Sequence, residues 1–142
     1  MKAIFDKAIS KVLSANDTGE TGGHQAGMLI PKIEDVLSFF PKLGSDTKNP
    51  RVAFRFVDEE GQAWKFNFIY YNNRFFDGTR NEYRLTGMTT FIRQNNLKAG
   101  DTIILKRTLD NQLEIYYERF ENNEEVPDDV LRLGSSWKVV KI

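Results

Sequence analysis

Apolar and aromatic residues alternate with polar ones at a period of two through much of this chain, the pattern of half-buried strands. The clearest case is Val52-Ala53-Phe54-Arg55-Phe56-Val57, a turn at Asp58-Glu59-Glu60-Gly61, then Trp64 through Tyr71, which predicts a hairpin. Thr102 to Arg107 and Leu113 to Phe120, joined through Asp110-Asn111, predict two more strands. Met28-Leu29-Ile30 predicts a short strand, the segment after Gly78 another, and Trp137 to Ile142 a last strand that closes the sheet. Helical spacing of Ile4, Phe5, Ala8, Ile9, Val12 and Leu13 predicts an amphipathic helix at the start, although Val12-Leu13 equally suits the beginning of a strand. Pro31 fits the first position of a helix through Ile33, Val36, Leu37 and Phe40 that Pro41 stops, and Thr89 to Asn96 reads as a short helix with Phe91 and Ile92 inward. The expectation is a mainly β domain, with about seven short strands and two small helices in a barrel-like arrangement.

Between these elements, Ser14 to Gly27 has four glycines in the nine positions from Gly19 and no apolar periodicity, so it reads as a loop. It is long for a connector, and long loops within compact domains are usually functional or disordered. Leu43 to Pro50 and Asn72 to Gly78 are further polar loops. With 142 residues, 40% hydrophobic and 13% aromatic, the chain fits one domain spanning 1–142 with a core of its own. No run approaches a membrane span, and Met1 to Asp6 lacks the apolar centre of a secretory signal, so a cytoplasmic protein is expected.

Cysteine is absent, which removes disulfides, thiolate nucleophiles and thiolate zinc sites, and the single histidine, His24, excludes a site needing two within one chain. Lys plus Arg equals Asp plus Glu at 20 each, and a pI near 6.6 does not suit nonspecific nucleic-acid binding. The distribution is uneven, however. Gln62 to Lys98 holds six basic residues against Asp77 and Glu82, whereas Asp110 to Asp129 holds eight acidic residues against Arg119. A neutral total with this asymmetry predicts weak nonspecific affinity for a polyanion and reliance on particular contacts.

Those contacts are suggested by Arg80-Asn81-Glu82-Tyr83-Arg84. In an extended backbone alternate side chains share a face, so Arg80, Glu82 and Arg84 form a donor, acceptor, donor comb with teeth about 6.5 Å apart, close to two base-pair steps of about 3.4 Å. Arginine pairs with guanine and glutamate with the cytosine amino group in the major groove. A solvated strand face with ordinary ion pairs fits the same pentapeptide. The glycine-rich segment lacks the Gly-Lys-Ser/Thr closure of a P-loop, since Gly22-Gly23 runs into His24-Gln25 and a strand; it suits an arm laid along DNA or a plain surface loop. No glycine-flanked serine elbow occurs, and Pro127-Asp128 is followed only by Ser136-Trp137-Lys138, with serine where a nuclease needs an acid. No catalytic residue is expected in this chain.

Ser14-Ala15-Asn16-Asp17-Thr18-Gly19 with Thr21-Gly22-Gly23-His24-Gln25 and Ile30-Pro31, then Tyr70-Tyr71-Asn72 with Thr79-Arg80-Asn81-Glu82 and Arg84, closely resemble the N-terminal effector-binding domain of EcoRII-type restriction endonucleases. Arg84-Leu85-Thr86, Phe91-Ile92, Asn96-Leu97 and Gly100-Asp101 resemble the plant B-three (B3) transcription-factor domain. Together the matches span roughly Ser14 to Leu105. The resemblance implies a seven-stranded DNA-binding pseudobarrel that grips the major groove with two arms, here about 22–29 and 74–84. It carries base contacts to His24, Arg80, Glu82 and Arg84, and adds Gly23, Gln25, Ala26, Met28, Lys32, Arg74, Gly78, Thr79, Asn81 and Tyr83 as arm or backbone contacts. Of these, Lys32, Arg74 and Tyr83 are expected on phosphate or sugar.

The implied target is a CC(A/T)GG-type site. Departures from the family pattern stand at Gly78 and Tyr83, where the enzyme has basic residues, and at Leu29, where it has tyrosine. The resemblance further implies a type II restriction endonuclease whose nuclease domain lies outside these 142 residues. Magnesium then belongs to that nuclease domain alone, and this domain is expected to be monomeric with double-stranded DNA and the nuclease domain as partners. Two rivals are a protein-interaction or antitoxin-like domain that binds a basic partner through Glu121 to Asp129, and a small nuclease with an unfamiliar carboxylate site.

Overall fold

The computed structural model describes residues 5–20, 27–44, 46–120 and 137–140. Its elements in chain order are β1 (Phe5–Val12), α1 (Ala15–Thr18), β2 (Met28–Ile30), α2 (Glu34–Leu37), β3 (Arg51–Val57), β4 (Ala63–Tyr71), a 3-10 turn (Asn73–Phe76), β5 (Glu82–Thr86), α3 (Thr89–Gln94), β6 (Thr102–Thr108), β7 (Leu113–Glu118) and β8 (Trp137–Val139). The strands form one sheet in the order β2-β5-β4-β3-β7-β6-β1-β8. All neighbours are antiparallel except β3 and β7. The sheet curls until its two edges nearly meet: the Trp137 indole N–H on β8 donates to the Leu29 carbonyl on β2 at 3.0 Å. Near-closure leaves little open edge and makes a pseudobarrel. Among the described residues the strands are eight and the α-helices three, where about seven and two were expected: β1 is a strand in a segment read as helix, and α1 forms in a stretch read as loop.

The interior holds the inward residues of every long strand: Ile9, Phe56, Phe66, Phe68, Leu85, Ile103, Leu105 and Ile115 are all 0% exposed. The predicted hairpin forms in the register Arg51↔Ile69 to Val57↔Ala63. The Asp58 carboxylate ties its turn, accepting from the Glu60 and Gln62 amides at 2.9 Å and from the Trp64 indole at 2.9 Å. Phe40 follows α2 and plugs one end of the barrel, stacked on Phe68 with ring centroids 4.3 Å apart and planes 9° from parallel.

The N-terminal segment is a strand and not the helix that its spacing predicts. β1 lies between β6 and β8, and Ala8, Ile9, Ser10 and Lys11 are all buried. A strand covered on both faces loses the alternation that marks one. The helix expected from Pro31 to Phe40 shrinks to Glu34–Leu37, with Ile33 at its N-cap providing no side-chain bond. Conversely, α1 forms because Ser14 and Asp17 make a capping box: the Ser14 hydroxyl accepts from the Asp17 amide at 3.2 Å and the Asp17 carboxylate accepts from the Ser14 amide at 2.9 Å. The acidic stretch Glu121 to Asp129 lies outside the described residues.

Lys11 points into the barrel beside Ile103, its partner on β6. It is 0% exposed, and its ammonium donates to the Asp17 carboxylate, which is 6% exposed. Burial pushes the Lys11 pKa below the ordinary lysine value against the opposing pull of Asp17. The pair fastens α1 to the barrel wall. Lys11→Met leaves Asp17 as an uncompensated buried charge and is expected to cost about 3–5 kcal/mol in urea unfolding, with part of the loss recovered when Asp17 is made Ala in the same chain.

Candidate nucleic-acid interface

The outer face of β4 and β5 is set by the pairs Asn67↔Thr86, Ile69↔Arg84 and Tyr71↔Glu82. Glu82 and Arg84 therefore project together, and Arg80, just ahead of β5, joins them. The Glu82 carboxylate sits between the two arginines: Oε1 accepts from Arg80 Nε at 2.9 Å and lies 2.9 Å from Arg80 NH2 in an ion pair, and Oε2 accepts from Arg84 NH2 at 3.0 Å. The Arg80 guanidinium also lies 3.8 Å from the centroid of the Tyr71 ring, a cation-π contact that fixes its plane. The comb is thus held in place before any ligand arrives. Its side chains are 36%, 27% and 23% exposed for Arg80, Glu82 and Arg84, open enough to be touched and closed enough to be rigid.

The comb joins the roots of two segments. At one end Arg84 NH1 donates to the Gly27 carbonyl at 2.9 Å, where the glycine-rich segment re-enters the sheet. Gly27 has φ +93 and packs so tightly on β5 that a Cβ there would stand 2.7 Å from Thr86 Cγ2 and 2.8 Å from the Leu85 carbonyl. No other residue type fits this close approach. At the other end Arg80 belongs to the loop 72–81. Beside the comb, between β4, the end of β5 and the start of α3, lies a concavity of about 440 Å³ whose lining includes Asp17, Gly27, Arg51, Asn67, Tyr71 and Thr86. It is mostly polar, and it adjoins the comb through Gly27, bonded to Arg84, and Tyr71, stacked on Arg80.

The loop 72–81 is built on asparagines. Asn72 is 0% exposed and makes a reciprocal clamp with Asn49: the Asn49 amide donates to Asn72 Oδ1 at 2.7 Å, and the Asn72 amide donates to Asn49 Oδ1 at 3.2 Å. Asn72 Nδ2 donates to the Thr47 carbonyl at 2.9 Å. Asn73 Oδ1 then accepts from the Arg80 amide at 2.6 Å, and the Arg74 amide donates to the Arg80 carbonyl at 2.9 Å. Both ends of the loop are pinned beside Arg80.

The sequence-predicted residues divide. Arg80, Glu82 and Arg84 come together as expected, and Lys32, Arg74 and Thr79 are exposed. Gly78 packs on Asn73, where a Cβ would stand 2.5 Å from Asn73 Cγ. Met28 is a core residue at 3% exposure. Asn81 accepts from the Tyr70 hydroxyl at 2.6 Å, and Tyr83 stacks between Phe68 and Tyr70 at 5.5 and 4.3 Å. Alternation along β5 turns Tyr83 away from the comb, into an aromatic column leading back to Phe40. Gly23, His24, Gln25 and Ala26 lie outside the described residues. Tyr71 and Asn72 carry part of the family resemblance, but neither they nor Arg51 and Asn49 were assigned a role at the site from sequence; the pairing Tyr71↔Glu82 could have found the first, while the Asn49–Asn72 clamp joins loops 23 residues apart that carry no common signal. Among the described residues no group of three or more His, Cys, Asp and Glu could hold a metal ion.

Burial opposes ionisation of Glu82, but hydrogen bonds from Arg80 and the charge of Arg84 outweigh it and hold the carboxyl below its ordinary range. A depressed folded-state pKa contributes stability above the unfolded value, near 4.3, and the contribution is lost as pH falls through the lower folded value. The melting-temperature advantage of the native chain over Glu82→Gln should therefore be constant near neutrality and shrink only below about pH 4. Asn72→Ala should cost about 1–3 kcal/mol and accelerate amide exchange across residues 73–80, because it removes the part-buried bonds to the Asn49 amide and the Thr47 carbonyl.

Comparison with known proteins bears on the family and the fold. The family model described as "Restriction endonuclease EcoRII, N-terminal" matches residues 5–118. The type II restriction enzyme EcoRII of Escherichia coli is 40% identical over 111 residues, covering 72% of this chain and 26% of that protein. The AP2/ERF and B3 domain-containing transcription factor RAV1 of Arabidopsis thaliana is 29% identical over 135 residues, covering 93% of this chain and 35% of that protein. The structure of the Arabidopsis FUS3-DNA complex superimposes with a TM-score of 0.59 at 21% identity, over 79% of this chain and 96% of that one, and shows the shared fold. The chain spans about a quarter to a third of the length of these two curated relatives. With the family match running from β1 to the end of β7, this chain belongs to the EcoRII N-terminal domain family.

Proposed function

We propose that the chain reads double-stranded DNA by sequence through the major groove, as the target-recognition or effector domain of a type II restriction endonuclease. One observation carries this reading: three side chains of alternating hydrogen-bond character are fixed on one sheet face, joined at one end to Gly27 and at the other to the loop 72–81, beside a concavity. Preorganised groups lose little entropy on binding, so their contacts count nearly in full. Arg80 and Arg84 donate to guanine O6 and N7, and Glu82 accepts from a cytosine amino group, each good contact contributing about 1–3 kcal/mol of discrimination.

The acceptor count on Glu82 is compatible with this use. A carboxylate offers about four lone-pair sites. Arg80 Nε occupies one on Oε1, with its NH2 in ion-pair contact, and Arg84 one on Oε2, which leaves a lone pair on Oε2 for a base. Arg80 NH1 takes no part in these bonds and remains to face a guanine. His24 and Gln25 on the glycine-rich segment read from the opposite side, and Lys32 and Arg74 bind phosphates. Tyr83, packed in the aromatic column, has no part in backbone contact in this reading. The family relationship to EcoRII makes a CC(A/T)GG-type site the proposed target. Strand cleavage and its magnesium would belong to a nuclease domain, with this domain acting as a monomer.

Arg80→Ala should abolish the preference for cognate over scrambled duplex, while Lys32→Ala should weaken both alike and reduce the salt slope by about one. Fluorescence anisotropy with both duplexes at several salt concentrations separates the two effects. Equal losses for both variants on both duplexes would remove the division between reading and positioning residues.

A further inference from the structure

The loop that carries Arg80 also carries Phe75 and Phe76, which are 62% and 38% exposed. Among the described residues every other phenylalanine with a described side chain is buried or half-buried. Two adjacent rings in water are unfavourable, and the loop offers them no interior: Asn73 fills it, accepting from the Arg80 amide at 2.6 Å and packing against Gly78. Asp77 at φ 68 turns the chain back immediately after the rings. The loop is also anchored against collapse, since Asn72 at its base is clamped to Asn49 and Thr47.

Their position is tied to the comb. The Arg74 amide bonds to the Arg80 carbonyl at 2.9 Å, and Phe75 is the next residue, so its Cα is one peptide, about 3.8 Å, from that of a residue fastened to Arg80. Any duplex seated against Arg80 therefore comes within reach of Phe75.

We propose that Phe75 and Phe76 form an apolar fingertip that packs against the duplex beside the base read by Arg80, on a thymine methyl group or the carbon face of a deoxyribose. This inference rests on the duplex-reading function proposed above. The fingertip supplies binding free energy that does not depend on counterion release, which suits a chain with 20 basic and 20 acidic residues. It also supplies a preference at one edge of the site where hydrogen bonding by the comb ends.

The test uses the full chain and the tightest-binding duplex selected from a randomised pool. Phe75→Ala/Phe76→Ala should weaken binding roughly 5- to 30-fold, with an unchanged slope of log affinity against log salt. Its melting temperature should be unchanged, because neither ring is in the core. Phe75→Leu should recover part of the loss. A duplex with uracil in place of thymine separates the two apolar sources. If the methyl group is the contact, uracil weakens the native chain and the alanine variant then loses nothing more; if sugar is the contact, the variant loses as much on either duplex. Binding within twofold of the native chain would overturn the fingertip and leave the exposed rings to a protein partner. A loss accompanied by a lower melting temperature or an altered salt slope would overturn it as well. If the native chain selects no duplex at all, the reading function fails and takes the fingertip with it.

Discussion

Two guanidinium groups on one strip of sheet repel each other unless a negative charge lies between them, and the Glu82 carboxylate is that charge. It bonds Arg80 on one side and Arg84 on the other, so three long side chains behave as one rigid bar. Arg84 extends the bar to the Gly27 carbonyl and Tyr71 supports its other end from below. The strand register makes this possible. With Tyr71 opposite Glu82 and Ile69 opposite Arg84, a slip of one residue would put Tyr83 and Leu85 on this face and turn the charged groups toward the core. The aromatic column from Phe40 through Phe68 and Tyr83 to Tyr70 prevents that slip, since Tyr83 is held from the opposite face.

A second charged arrangement supports the first from inside the barrel. Lys11 and Asp17 form a buried pair that secures α1, the element leading into the glycine-rich segment. Lys11 is close enough to Arg84 for the arginine to disfavour its charge, so Asp17 serves both the anchoring of α1 and the local balance of charge beneath the comb. Buried pairs of this kind contribute little net stability compared with apolar residues of similar size. Here the pair sits under the concavity that Asp17 helps to line, which is a reason for a polar group where packing alone would favour leucine.

Much of this was legible in the sequence where each segment has one wet and one dry face. The hairpin of β3 and β4 and the comb on β5 follow from alternation alone, because each buries one side. β1 was not legible: Lys11 faces the core and Ser10 is buried too, so polar residues stand where a strand pattern requires apolar ones. α2 was overextended because Phe39 and Phe40 continue the apolar spacing after the helix has ended, packing into the barrel mouth from turns. The comb shows the same division. Its three members were separable from Asn81 and Tyr83 by period two, yet the loop beside it depends on Asn49, Asn72 and Asn73, whose meaning lies in a contact between distant loops.

Formal neutrality then acquires a physical role. A strongly basic module gains most of its affinity from counterion release and binds any duplex; with 20 charges of each sign that route is largely closed. In the proposed reading, affinity comes from contacts that need the right base in the right place, and such contacts are worth their full amount only when the protein side does not have to be ordered on binding. The Glu82 bridge, the Tyr71 support and the asparagine clamp all remove that ordering cost in advance. Rigidity of the face and neutrality of the chain are therefore two parts of one solution, in which discrimination grows because nonspecific attraction is kept small.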